Sequence, residues 1–255
     1  MNKLKKIVNK VLLKRSVYSL TVDGIERLSP NMMRFIFYVA PTGLSKAHEG
    51  GYLKLEFQQA DGKTRMRSYT IRKVLNDGKQ IVIDFVDHGD SGLASAWANQ
   101  AQVGQALTAR GPGAAKNISE SEKHCIIVGD ASSLPAIAVT LSCLSAEVQG
   151  HCLIHLLDEQ DKQSLPIPDG VDMHWVIAPN QQQAAQAIVA QLEALNIPSI
   201  AMGAWVAGEF EVALAARKYL QAKVDLGTTY FSSYWKVGVT DDLNKQAKAE
   251  EGGFS

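Results

Sequence analysis

The sequence predicts a two-domain protein: an N-terminal antiparallel β-barrel followed by a C-terminal α/β domain built on a parallel sheet. Two observations predict this. Between residues 16 and 110, short β-branched and aromatic runs are separated by tight-turn residues, the pattern of antiparallel strands joined by hairpins. Beyond residue 125, continuous apolar runs alternate with helix-patterned segments, the pattern of parallel strands covered on both faces. The 255 residues are enough for two modest domains. The expected divisions are a basic N-terminal helix over 1–15, the barrel over 16–116, the α/β domain over 117–240 and a polar C-terminal tail over 241–255.

Taken in order, residues 1–15 are basic, with Leu4, Ile7, Val8, Val11 and Leu12 at helical spacing. Asn9, Lys10 and Lys14 interrupt the apolar core that a secretory signal would need; a short helix packed on the protein itself is expected, with a helix lying on a membrane surface as the alternative. Strands are expected over 16–27, 32–39, 52–57, 66–72 and 81–86. Pro30-Asn31, Pro41-Thr42-Gly43, Asp61-Gly62 and Asn76-Asp77-Gly78 form the turns between them. A helix is expected over 92–99, with Leu93, Ala96 and Trp97 as its apolar stripe and Asp90 and Ser91 as caps. A strand over 107–110 closes the region at Gly111-Pro112-Gly113. In the second half, strands are expected over 125–128, 152–157, 173–177, 204–207 and 228–235, and helices over 134–144, 181–195 and 210–222. The last residues read as a frayed tail or as one helix over 241–250.

Composition excludes several classes of function. The 26 basic and 26 acidic residues cancel, so nothing global recruits nucleic acid or an anionic membrane. Apolar runs fall short of the ~18–20 residues that a membrane span needs, and a monomer in the cytoplasm is expected. The three cysteines, Cys125, Cys143 and Cys152, are neither paired in number nor spaced for a disulfide framework or a thiolate metal site. His151 and His155 lie four apart on one strand face, but spacing along the chain gives them no acidic or thiol partner, and no metal site is expected. No GxSxG, HExxH or Walker loop occurs, so hydrolase and nucleotide-triphosphatase readings have no support.

The most informative stretch is Arg67-Ser68-Tyr69-Thr70-Ile71-Arg72. Alternation places Arg67, Tyr69 and Ile71 on one face and Ser68, Thr70 and Arg72 on the other. Two arginines on such a strand call for an anion, because an unpaired buried charge is costly. Arginine beside a phenol and short hydroxyls suits a flat ring carrying phosphates. A surface edge strand with solvated arginines is the alternative. Downstream, His88-Gly89-Asp90-Ser91-Gly92 runs into a helix start, where free backbone N–H groups and the helix dipole favour a pyrophosphate. A plain turn is the alternative there.

The pairing of RSYTIR with DFVDHGDSGLASAWA over residues 84–98 resembles the siderophore-interacting protein family, flavin-dependent ferric-siderophore reductases of the ferredoxin-reductase-like superfamily. Gly129-Asp130-Ala131-Ser132-Ser133-Leu134-Pro135-Ala136-Ile137 resembles the family's GDETALPAI. Trp205-Val206-Ala207-Gly208-Glu209 resembles its WxAGE, and Tyr234-Trp235-Lys236-Val237-Gly238 its YWRxG. Two positions depart: Ala131 stands where the family has glutamate, and Lys236 where it has arginine, so charge is kept at 236 but the bidentate fork is lost.

The resemblance implies FAD in the barrel, held by Arg67, Ser68, Tyr69 and Thr70, with Thr70 near the ring nitrogen that takes the hydride. It implies His88, Gly89, Gly92, Ala94 and Ser95 around the ring edge and pyrophosphate, with Asp130 and Ser132 as further cofactor contacts. It implies Lys54, Arg72 and Lys236 as a basic cluster for an anionic ferric siderophore. From the residues alone, Lys54 could be a solvated strand position, Arg72 could pair with Asp84 or Glu56, and Lys236 could cap a sheet edge. The electron donor implied is NADH or NADPH, with reduced ferredoxin as a second source. The second domain lacks GxGxxG after its first strand, and its strand ends at Gly129, Asp158, Ala178 and Gly208 are the expected docking positions for nicotinamide. No compact basic pair marks a 2′-phosphate site, so NADH and NADPH stay equivalent. A flavin-containing siderophore-binding protein without turnover is the alternative function.

Overall fold

The structure, a computed structural model, describes residues 16–59, 62–89, 92–195, 197, 200–239, 241–252 and 254. The expected helix over 1–15 and the expected caps Asp90 and Ser91 lie outside the described residues. The chain divides into two compact units. One takes the described residues up to Ile25 together with Phe35–Ile83 and Gly89–Ala115; the other takes Glu26–Arg34, Asp84–His88 and Lys116–Ser255.

The first sheet has seven strands: β1 (Ser16–Ser29), β2 (Met32–Ala40), β3 (Tyr52–Gln58), β4 (Thr64–Thr70), β5 (Lys73–Leu75), β6 (Gln80–Val86) and β7 (Ala106–Gly113), in the order β4-β3-β7-β1-β2-β6-β5. Alternation drives it. In β3, Leu53, Leu55 and Phe57 are buried while Lys54 and Glu56 are partly exposed, as a pleated strand with one covered face requires. The sheet is barrel-like but open: β4 and β5 are its two edges, and no ladder joins them. The expected strand over 66–72 corresponds to β4 alone and ends two residues early, and a further short strand follows it. Β4 stops at Thr70, and β5, too short to leave a sequence signature, begins at Lys73. Helix α1 (Leu93–Gln100) packs through Trp97, whose ring lies 5.4 Å from Phe35, 6.4 Å from Phe37 and 5.8 Å from Phe57. Such ring clusters favour tilted and edge-on contacts at these distances.

The second sheet contains β8 (His124–Asp130), β9 (Gln149–Leu156), β10 (Val171–Ile177), β11 (Met202–Glu209) and β12 (Leu226–Trp235), ordered β10-β9-β8-β11-β12 with parallel ladders throughout. Helix α2 (Leu134–Cys143) covers one face, where Ile127, Ile154 and Trp205 pack with Ile137 and Leu141. Helices α3 (Ala184–Ala194) and α4 (Phe210–Lys223) cover the other, where Val128, Leu153 and Val206 pack with Ile188 and Leu220. A strand buried on both faces has no polar face to alternate with, and every residue of β11 is buried, as expected for a doubly covered parallel sheet. Burial pushes the Cys125 thiol up to about 12 and that of Cys152 higher still; both are small core residues. Residues Asp241–Glu251 form helix α5, and beyond it Phe254 packs on Phe210 at 5.6 Å, with Arg217 over its ring at 5.2 Å.

Strand order reverses between β8 and β11, the crevice where parallel sheets bind ligands. A buried carboxylate closes the strand ends there. Asp130 is 3% exposed. Its Oδ1 accepts from Ser132 N at 2.9 Å, Ser132 Oγ at 2.6 Å and Ser133 N at 3.2 Å. Its Oδ2 accepts from Glu209 N at 2.7 Å and Trp235 Nε1 at 2.9 Å. The ends of β8, β11 and β12 thus meet on one side chain. Gly208 is required beside it: its φ is +151°, and a Cβ there would stand 2.7 Å from Asp130 Cγ.

An amide at position 130 would turn an NH2 toward donors and strand at least one of them. Hydrogen bonds to a charged group are each worth about 1.5–3 kcal/mol, so Asp130→Asn is expected to destabilise the protein by about 2–4 kcal/mol in chemical denaturation. A loss under about 0.5 kcal/mol, the range of an ordinary surface change, would remove Asp130 from this structural role.

Candidate functional site

In the first unit, β4 runs antiparallel to β3 with Leu53 opposite Tyr69, Lys54 opposite Ser68, Leu55 opposite Arg67 and Tyr52 opposite Thr70. Directly opposed residues share a face. Arg67 and Tyr69 therefore stand on the face of the buried Leu53 and Leu55, while Ser68 and Thr70 share the face of Lys54 and Tyr52. Tyr69 meets the Phe57 ring edge-on at 6.4 Å, and Arg67 donates to the Met66 carbonyl at 3.1 Å. Alternation does not extend to Arg72. After Thr70 the chain leaves the β3 ladder: Ile71 N donates to Gly51 O at 2.8 Å, and Arg72 N to Val82 O at 2.8 Å. The side on which Arg72 stands is set by this crossing toward β6 and not by strand parity.

The loop before α1 is built from the same unit. Gly89 has φ +63°, is exposed, and a Cβ there would meet nothing within 4 Å. Ser95 Oγ donates to Gly89 O at 2.7 Å and ties the loop to the first turn of α1. Gly92 occupies the N-cap and brings no side-chain oxygen to the amides of that turn, which carry the positive end of the helix dipole. Ala94 and Ser95 are buried. Phe57 touches both Tyr69 of β4 and Trp97 of α1, so one aromatic ring joins the arginine–tyrosine strand to the helix that carries the glycine loop. This is a fit for a planar ring bearing phosphates: an aromatic wall, a cation and a run of backbone donors on one unit.

The cations are placed as follows. Lys54 is half-buried on β3. Glu56 is held by Arg110, and Asp84 by Arg34 in a two-pronged pair at 2.8 and 2.9 Å. The two carboxylates open to Arg72 on sequence grounds are thus already paired with other arginines. Lys236, in the second unit, donates to Glu211 Oε1 at 2.8 Å and lies 3.8 Å from the centre of the Phe210 ring. Its side chain is 26% exposed against 58% for Glu211, so this is a surface pair of small net worth.

His88 belongs to the second unit and stacks obliquely on Trp235 at 5.9 Å. The residue as a whole is exposed, yet the face against Trp235 is shielded. That desolvation lowers the His88 pKa from 6.5, against opposing pulls from Asp130 and Asp87. Asp130 and Ser132, expected as cofactor contacts, spend their side-chain oxygens on each other and on the strand ends. They shape the crevice.

Three residues carry structural roles that the sequence reading does not assign: Glu209 and Trp235 stand there only as positions in quoted motifs, and Asp161 is not named. Glu209, 2% exposed, caps α4 by accepting from Glu211 N at 2.7 Å and Val212 N at 3.2 Å, and its other oxygen accepts from Val237 N at 3.2 Å. Trp235 links Asp130 to His88. Asp161 accepts from Ser29 Oγ at 2.7 Å and from Asn31 N and Nδ2 at 2.9 and 2.8 Å, fixing the β1–β2 turn. A carboxylate directly before a helix start is a capping signal and could have revealed Glu209; nothing local marks the other two.

Residues 42–116 match the model of the siderophore-interacting FAD-binding domain, and residues 122–238 that of the siderophore-interacting protein. The ferric vibriobactin reductase ViuB of Vibrio cholerae is 32% identical over 212 residues, covering 79% of this chain and 76% of that protein. The NADPH-dependent ferric-chelate reductase of Escherichia coli is 31% identical over 160 residues, 61% of each chain. The siderophore-interacting protein SipS from Aeromonas hydrophila has the same fold, with a TM-score of 0.80 at 24% identity over 93% of this chain and 98% of its own. With both domain models matched in order and ViuB aligned over most of its length, this chain belongs to the siderophore-interacting protein family.

Proposed function

We propose that this protein is a cytoplasmic ferric-siderophore reductase that moves electrons from NADH or NADPH, through FAD, to Fe(III) held in a siderophore, releasing Fe(II). The observation that carries the reading is the ring contact of Phe57 with both Tyr69 and Trp97, which ties the arginine–tyrosine strand to the helix that follows the glycine loop. Relatives bearing the names ferric vibriobactin reductase and NADPH-dependent ferric-chelate reductase support the reaction class. Among the described residues, no helix is long and apolar enough to cross a membrane.

FAD, when bound, accepts an electron pair and passes single electrons on; the protein supplies position and charge. Arg67 takes the phosphates, Tyr69 packs on the ring, and Ser68 and Thr70 present hydroxyls, with Thr70 at the reactive ring nitrogen. The backbone of Gly89, Gly92, Ala94 and Ser95 receives the pyrophosphate, and His88 stands at the ring edge as a neutral imidazole at pH 7. Lys54, Arg72 and Lys236 attract the anionic ferric chelate. Engagement of Lys236 with Glu211 is compatible with this role, because an exposed ion pair worth about 0–1 kcal/mol yields readily to a polyanion. Iron needs no protein ligand here, since the chelator fills its coordination sphere. Nicotinamide docks at the strand ends around Gly129 and Gly208, in a crevice whose shape Asp130 and Ser132 maintain. Reduced ferredoxin is the second donor consistent with a flavin reductase lacking a dinucleotide fingerprint.

The two cation roles separate by mutation. Arg67→Ala is expected to lose FAD on gel filtration, with affinity reduced about ten- to hundredfold. Lys236→Ala is expected to keep FAD while kcat/KM for a ferric siderophore falls by a similar factor, and Glu211→Gln, by freeing the ammonium, should raise chelate affinity. If Lys236→Ala and Glu211→Gln both leave chelate reduction unchanged, Lys236 is not part of the substrate site.

His88 also sets a pH dependence. Its folded-state pKa lies below its unfolded value near 6.5, so between the two the unfolded chain binds more protons and stability falls as pH is lowered; below the folded pKa the loss is complete. The apoprotein with His88→Gln is expected to lose less stability than wild type between pH 7 and 5. Equal losses in denaturation curves would place the shielding of His88 elsewhere.

A further inference from the structure

The register of β9 and β10 supplies what spacing along one strand did not. His151 lies directly opposite Asp172, and His174 follows two residues later on the same face of β10. Their side chains converge. His151 Nδ1 is 3.6 Å from Asp172 Oδ2 and 3.3 Å from His174 Nε2, and the three donor atoms lie within 4.8 Å of one another. His155, the other histidine on this face of β9, is separately satisfied by the Ala178 carbonyl at 3.0 Å. We infer that His151, Asp172 and His174 form a divalent transition-metal site of the Zn(II) class, at the opposite strand ends from the β8–β11 crevice.

The geometry favours this occupant. Nitrogen and oxygen ligands about 2.0–2.1 Å from a tetrahedral Zn(II) stand roughly 3.3–3.4 Å apart; the two histidine nitrogens are already 3.3 Å apart, and Asp172 Oδ2, 3.6 Å from His151 Nδ1, reaches that spacing by a small side-chain movement. Two imidazoles and one carboxylate select Zn(II), Co(II) or Ni(II) over Mg(II) and Ca(II), which require oxygen ligands. The two histidines are half-buried and their rings are 5.3 Å apart, so they are held in place. Asp172, with its side chain 74% exposed, is free to close the third edge. The Gln191 amide on α3 stands 3.5 Å from His174 Nδ1; turned to present its oxygen, it accepts the Nδ1 proton and leaves Nε2 as the ligand atom. A surface groove lined by His124, His151, Asp169 and Asp172 gives an ion access. Bound metal would pin the start of edge strand β10 to β9 and leave a fourth position for water.

The test uses the full chain without an affinity tag, stripped with a chelator and titrated calorimetrically with zinc sulfate. One equivalent is expected to bind, with a raised melting midpoint. Co(II) should give visible d–d bands without a thiolate charge-transfer band, and magnesium chloride should give no binding. His174→Gln and the surface variant Asp172→Asn, each checked for folding by circular dichroism, should weaken Zn(II) by at least about tenfold, since loss of even a supporting contact costs that much. Cys143→Ser, which removes the exposed thiol, should change nothing. No stoichiometric binding would overturn the inference, as would one equivalent that survives Asp172→Asn and His174→Gln or is lost with Cys143→Ser. In the absence of metal binding, the cluster is an imidazole hydrogen bond with an adjacent ion pair.

Discussion

The second unit depends on the Asp130 carboxylate. A parallel sheet leaves unpaired backbone donors where its strands end, and its switch point opens a crevice there. Asp130 fills that requirement from β8, taking the backbone of its own turn on one oxygen and Glu209 N and Trp235 Nε1 on the other. Because it is buried, each of those contacts acts in a low-dielectric setting, and each lost partner would leave a buried donor unsatisfied. Glu209 repeats the device one strand over, caps α4 and receives Val237 N. The carboxylates of GD at 129–130 and GE at 208–209, the turns that end β8 and β11, hold the shape of the crevice.

The first unit solves a different problem: holding a strand rich in arginine beside an apolar core. Arg67 and Tyr69 share the face of Leu53 and Leu55, which makes sense if an anion balances the arginine. The aromatic cluster around Trp97 then fixes α1, and with it the glycine loop, relative to β4. A strand offers side chains and a helix start offers backbone N–H groups, and the proposed FAD site draws on both.

Much of this was legible in the sequence. Alternation in β2 and β3 and unbroken apolar runs in β8 and β11 are local signals, and they marked both sheets. Β5 was missed because three residues carry no periodicity. An open sheet in place of a closed barrel depends on whether β4 and β5 pair, which is a long-range matter. The parity of Arg67 and Tyr69 followed from alternation, whereas Arg72 escaped it because the chain changes ladders at residue 71. Partners far apart in the chain were invisible: Trp235 to Asp130, Asp161 to Asn31, Arg34 to Asp84. Asp172 and His174 became neighbours of His151 only through the register of a parallel ladder, which no spacing rule along the chain encodes.

The central claim is that the protein passes electrons from a pyridine nucleotide through FAD to siderophore-bound iron. The most direct measurement is an anaerobic titration of the FAD-loaded protein with NADH and with NADPH, followed by a ferric siderophore. The account predicts that the flavin absorbance bleaches with at least one nucleotide and returns on adding the ferric chelate, with Fe(II) trapped in matching amount. A yellow protein that binds the ferric chelate yet bleaches with neither nucleotide nor reduced ferredoxin would contradict it and leave a binding protein in its place.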